Sequence, residues 1–158
     1  MRNQGYIITF SMLICIFAFF GFSGNQSCGP ITRSQLREMV TQLGYTVTDI
    51  VKDAGKEKFS ISITKEGLDI PVAAEISGNG QYIWLTVNLG PAKPADGTRS
   101  FALLKQVAIT QPSHFYVTES GTQMMGLAVE NRGISNAILR ERFESISSRV
   151  GESKAIWQ

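Results

Sequence analysis

The chain has 158 residues, of which 43% are hydrophobic and 18% charged, with a formal net charge of +2. That length fits one domain able to bury a sizeable core. The near-neutral balance, without a basic cluster, excludes the electrostatic footprint of a nucleic-acid binder, so no nucleic-acid partner is expected. Lys52, Lys56 and Lys58 are diluted by Asp53 and Glu57, the pattern of a solvated loop.

The N-terminus differs in kind from the rest. Arg2 is the only charge before Arg33, and Ile7 to Phe22 is a largely apolar run with five phenylalanines. At about 1.5 Å per residue the run spans about 24 Å, short of a hydrocarbon core of roughly 30 Å. A basic start, an apolar stretch and then small polar residues is the layout of a secretory leader. Residues 1–23 are therefore expected to be a signal peptide cleaved before Gly24, with a retained N-terminal anchor as the alternative. Residues 24–30 form a linker, 31–150 a single domain and 151–158 a C-terminal tail.

Cys15 lies within the leader, so a mature chain would hold Cys28 alone. One cysteine makes no internal disulfide, and the domain must stand on its core. Cys28 just behind the leader is a candidate lipid anchor, although Asn25-Gln26-Ser27 departs from the Leu-small-small approach of bacterial lipoproteins. An incidental thiol is the plainer reading. Membrane contact is expected only through the leader or a lipid on Cys28.

Thr32 with Gln35 reads as a capping box, and Leu36, Met39, Val40 and Leu43 recur at helical spacing before Gly44. The period then shortens to two. Tyr45 to Val51 is a possible strand. Phe59, Ile61 and Ile63 alternate with Ser60, Ser62 and Thr64, and after a turn at Glu66-Gly67 the alternation resumes from Leu68 to Ile76. Pro71 removes a ladder donor and should lie at an edge or bulge. Gly78-Asn79-Gly80 turns the chain into Tyr82 to Leu89. Thr98 opens a second helix with an apolar face of Phe101, Leu104, Val107 and Ala108, stopped before Pro112. A hairpin follows, His114 to Glu119 and Met125 to Val129. Ser135 caps a third helix with Ile138, Leu139, Phe143, Ile146 and Val150 on one face. The fold class is α+β: an antiparallel β-sheet, meander plus hairpin, packed by three helices in the order α-β-β-β-(β)-α-β-β-α.

This order, carried by residues 36–45 (LREMVTQLGY), 59–90 and 114–146, resembles the type III secretion chaperone-like fold, and especially the YbjN-like family of bacterial proteins. The resemblance spans about residues 31–150 and rests on element order and hydrophobic pattern. It implies a protein-binding role without catalytic residues. Effector chaperones are cytoplasmic, whereas this chain opens with an export leader, a departure from that role.

The residues themselves give little chemistry. Nucleophilic catalysis needs a base, and the single histidine, His114, follows Pro112-Ser113 with no G-x-S-x-G motif in the chain; it reads as a surface or strand-end residue. One histidine and one mature cysteine cannot build a zinc site, and no calcium loop is present, so neither metal nor cofactor is expected. Glu141 and Glu144 beside Arg140 and Arg142 read as a solvated ion-pair lattice on the third helix.

Strand parity is more informative. If Ile83, Leu85 and Val87 face the helices, Tyr82 and Trp84 face away. If Phe115 and Val117 face inward, His114, Tyr116 and Thr118 face outward. An open sheet face with Tyr82, Trp84 and Tyr116 is a candidate binding surface. It awaits a partner protein, a second copy of the chain in a homodimer, or cover by the chain's own tail through Trp157. The function expected is an exported, non-enzymatic binding module, periplasmic, extracellular or membrane-anchored, that docks a protein segment on the sheet face or edge strand. A small envelope hydrolase using His114 and Glu119, or a structural envelope protein, are the alternatives.

Overall fold

The computed structural model describes residues 29–93 and 97–158. The leader, its cleavage point before Gly24, and Cys28 lie outside the described residues.

Local signals set the first elements. Thr32 Oγ1 accepts from the Gln35 backbone N–H at 3.3 Å while Gln35 Oε1 accepts from the Thr32 N–H at 2.8 Å, the reciprocal box that starts α1 (Arg33–Gln42). Gly44, at φ +88, ends it in a conformation that costs glycine least. Strands β1 (Thr48–Val51), β2 (Lys58–Lys65), β3 (Leu68–Ile76) and β4 (Tyr82–Pro91) form an antiparallel meander. The β2–β3 turn places Glu66 and Gly67 both at positive φ, the twist a two-residue hairpin prefers. Pro71 pairs with Ser62 of β2 but lies outside the stretch of β3 paired to β4, which runs from Val72 to Ile76. Its missing N–H therefore sits where β3 has no β4 partner.

After α2 (Gly97–Thr110), β5 (His114–Val117) and β6 (Thr122–Glu130) fold back, and β6 inserts beside β4. The six strands form one sheet in the order β1-β2-β3-β4-β6-β5, with the short β1 and β5 at its edges. Helix α3 (Asn136–Glu152) starts with Ser135 Oγ accepting from the Ile138 N–H. It lays Leu139, Phe143, Ile146 and Val150 across the sheet and packs against α1. The core lies between these helices and one sheet face: Leu36 and Val40 from α1, Phe59, Ile61 and Ile63 from β2, Val72 and Ala74 from β3, Ile83, Leu85 and Val87 from β4, Met125, Leu127 and Val129 from β6. At about 1.5–3 kcal/mol for each large apolar side chain, this one-sided burial is the main driving force of the fold.

Asn131, buried beyond β6, latches the start of the domain. Its Oδ1 accepts from the Ile31 N–H at 3.0 Å, and its Nδ2 donates to the carbonyls of Ile31 at 3.0 Å and Gly80 at 2.9 Å.

Several expectations change. The stretch expected as a tail carries the end of α3 and a fourth helix, α4 (Lys154–Trp157). Trp157 packs against the core with its indole N–H donated to the Val150 carbonyl at 2.9 Å, so it does not cover the open sheet face. Helix α2 does not bury the apolar face read for it: Phe101 is 59% exposed and Leu104 69%. The reason is position. Helix α2 lies at the sheet's end, against β5 and α4, where no strand remains to receive that stripe. Val117, expected inward, is 57% exposed for the same reason. The charges of α3 do not form a lattice along the helix. Arg142 and Glu141 approach to 3.7 Å, but Glu144 reaches Lys65 of β2 at 3.4 Å and Arg140 donates to the Leu43 carbonyl.

Candidate functional site

Helices α1 and α3 cover one face of the sheet, and among the described residues the other is left exposed at Tyr82 and Tyr116. Alternation along β4 buries Ile83, Leu85 and Val87 and turns Tyr82 and Trp84 outward. Because β6 inserts beside β4, the hairpin carries His114 and Tyr116 of β5 onto the same face. Between the two pairs lie small residues of β6: Ala128 opposite Trp84, and Gly126 opposite both Thr86 and His114.

The result is a continuous row of four rings. Centroids are 6.5 Å apart from Tyr82 to Trp84, 6.3 Å from Trp84 to His114 and 5.7 Å from His114 to Tyr116, within the range of favourable aromatic contact. The row is seated on Gly126, whose lack of a side chain leaves room for two of its rings. A Cβ there would lie 3.1 Å from Tyr116 Cε1 and 3.4 Å from both Cε1 and Nε2 of His114. The rings therefore rest on bare backbone. Beyond Trp84, Glu75 of β3 is bound to Lys58 Nζ at 3.0 Å. Burial, with the Glu75 carboxylate adding to it, pushes the Tyr116 phenol above its ordinary value, so it stays protonated and able to donate at neutral pH.

The three residues read from the sequence, Tyr82, Trp84 and Tyr116, are thus brought together on one face. Strand parity alone did not reveal that His114 bridges Trp84 and Tyr116, nor that Gly126 seats both of its rings. A glycine inside an otherwise apolar strand was the available signal, since such a position often marks close approach of another group. His114 meets rings and backbone rather than a nucleophile, while Glu119 is exposed in the turn after β5. Among the described residues there is no cluster of three or more His, Cys, Asp or Glu side chains able to hold a metal ion, and no helix is long and apolar enough to cross a membrane.

A second apolar surface flanks β5. A cleft of about 270 Å3 lies between α2 and the hairpin, lined by Ser100, Leu103, Leu104 and Val107 of α2 and by Phe115, Val117, Gln123 and the row's own Tyr116. Together with Phe101 and Ile109, exposed by 59% and 64%, it leaves much of α2 without an apolar partner among the described residues.

No family model and no curated protein matches the chain. Among solved structures it is similar to a chain in the HopA1–SchA chaperone–effector complex, with a TM-score of 0.50 and 13% identity, covering 75% of this chain and 94% of that one. At that identity the likeness is one of fold alone.

Proposed function

We propose that the chain is a non-enzymatic, chaperone-like module that docks an extended segment of another protein on its open sheet face and on edge strand β5. The observation that carries this reading is the row Tyr82–Trp84–His114–Tyr116, with Tyr82 and Tyr116 exposed by 42% and 36% at its two ends. Aromatic anchors supply desolvation energy, and an edge strand supplies backbone hydrogen bonds to an added strand. The fold shared with a chain of a chaperone–effector complex supports a protein as the partner, and the sequence resemblance to the YbjN-like family points the same way. The leader-like residues 1–23 support an exported location, with a lipid on Cys28 as one route to the membrane.

A second copy of the chain is the alternative partner, favoured by one observation: Phe101, Leu104 and Ile109 of α2 stand exposed beside the β5 edge.

The test places a photo-crosslinking amino acid at exposed position 88 of the full chain, on the same face of β4, and compares capture in Trp84→Ala/Tyr116→Ala and Glu119→Ala backgrounds. Cross-links to one defined protein, lost in the aromatic variant and kept in the carboxylate variant, support the reading. Capture unchanged by loss of both aromatics overturns it. Because His114 belongs to the row, Glu119 is the cleaner control for the hydrolase alternative.

A further inference from the structure

The chain's single histidine stands in the middle of the aromatic row, and its position there has a chemical consequence. Imidazole is the side chain whose ordinary charge change falls between about pH 5 and 8. We propose that His114 makes the open face proton-switched: neutral imidazole completes an apolar platform, and imidazolium turns the centre of that platform into a cation held between Trp84 and Tyr116. The regulatory half of this inference rests on the docking reading; the charge switch itself does not.

Geometry favours both states. Trp84 and the imidazole meet nearly perpendicular at 6.3 Å, and Tyr116 lies 5.7 Å away at a tilt. Neutral rings in such arrangements attract one another, and the Tyr116 ring lies within the roughly 6 Å at which a ring attracts a cation.

Countercharge on this face is already engaged or distant. Among the described residues, the charged side chains at outward positions of the sheet are Lys58, Asp69, Glu75 and Glu130, and α2, packed on β5, adds Arg99, which donates to the Trp157 carbonyl, and Lys105, over the Phe101 ring. Glu75 is bound to Lys58 at 3.0 Å, Asp69 accepts from Thr64 Oγ1 at 2.7 Å, and Glu130 stands opposite Tyr82 at the other end of the row. Beside the imidazole, burial and then Glu75 displace the Tyr116 phenol further from ionisation. Protonation thus adds net positive charge to the platform rather than completing an ion pair. A docked apolar segment would have to cover that charge and strip its water, which is costly. Acidification is therefore expected to release apolar segments and to favour acidic ones.

The experiment reads the charge of the face directly. Trp84 and Trp157 are the chain's two tryptophans, so Trp157→Phe leaves Trp84 as the sole emitter. Its emission is quenched with iodide, an anion, and with acrylamide, which is neutral, from pH 8 to pH 5. The expected result is a rise of about twofold in the iodide quenching constant, as an added local charge attracts the anion. The acrylamide constant should stay level, and the midpoint should match the imidazole proton resonances of the same protein. Adding His114→Gln should abolish the rise. An iodide constant that does not rise, or rises equally in the glutamine variant, overturns the switch. Should Trp157→Phe unfold, fluorotryptophan in the wild-type chain gives Trp84 its own 19F signal, and the same criteria apply to its shift. A clear switch combined with capture that ignores Trp84 and Tyr116 overturns the docking reading and its regulation, and leaves the switch standing.

Discussion

The Tyr116 ring lies over Gly126 so closely that a Cβ on the glycine would come within 3.1 Å of its Cε1. Gly126 is thus the seat of the aromatic row. Gly126→Ala should cost under about 1 kcal/mol, because the ring can shift by a few tenths of an ångström and alanine lowers the backbone entropy lost on folding. Gly126→Val should lift both the His114 and Tyr116 rings. The expected readout is a changed near-ultraviolet circular dichroism spectrum and Trp84 emission for valine, with the alanine spectrum close to wild type. Identical spectra for all three proteins would show that the rings do not depend on this contact.

Asn131 holds the domain's first residues through three side-chain hydrogen bonds to backbone groups of Ile31 and Gly80. Removing it strands buried donors and acceptors, each worth about 1–3 kcal/mol when left unmet. Asn131→Ala should therefore lower unfolding free energy by about 2–4 kcal/mol in urea titrations. Amide exchange at Ile31 should accelerate with it. A loss below about 0.5 kcal/mol, the size of an ordinary surface effect, would contradict the latch.

Apolar residues of α2 and α3 should respond in opposite ways. Phe143→Ala removes a fully buried ring from the core and should cost about 3–5 kcal/mol. Phe101→Ser and Leu104→Ser, each on an exposed surface, should each stay within about 0.5 kcal/mol in dilute solution. Chemical denaturation at two protein concentrations checks both statements. A large cost for the α2 variants that grows with concentration would reveal a second copy on that helix.

The Tyr45 phenol is raised above its ordinary value of about 10, by burial first and then by the Glu144 carboxylate, with Arg140 opposing. The folded chain therefore keeps this proton to higher pH than the unfolded chain does. Its contribution to stability is fully present below about pH 10 and is lost as pH rises through the folded value. Wild type should lose stability above pH 10 more steeply than Tyr45→Phe, which keeps the ring contact to Phe143 at 5.8 Å. Parallel pH profiles from urea midpoints would exclude this linkage.

Much of this architecture was readable in the sequence because its signals are local. The Thr32–Gln35 box, the alternation of Phe59 to Thr64 and the Glu66-Gly67 turn each follow from a few neighbouring residues. Parity placed Tyr82, Trp84 and Tyr116 on the same side as soon as the strands were recognised. What stayed hidden depends on which strands become neighbours. Only the insertion of β6 between β4 and β5 sets Gly126 beneath His114 and Tyr116. Phe101 and Leu104 misled for a related reason: helical spacing shows that a stripe exists, but not whether the sheet extends far enough to meet it.

Ile31 and Asn131 are joined across 100 residues of chain, and α1 packs against α3. Helix α1 is synthesised before every strand of the sheet, yet gains α3 as its neighbour only after all six have been made. Until then Leu36 and Val40 have no α3 to shield them, and closing so long a loop slows the search for the native state. Nascent α1 should thus depend on the synthesis of α3, and loss of α3 should unsettle α1 as surely as the sheet face it covers.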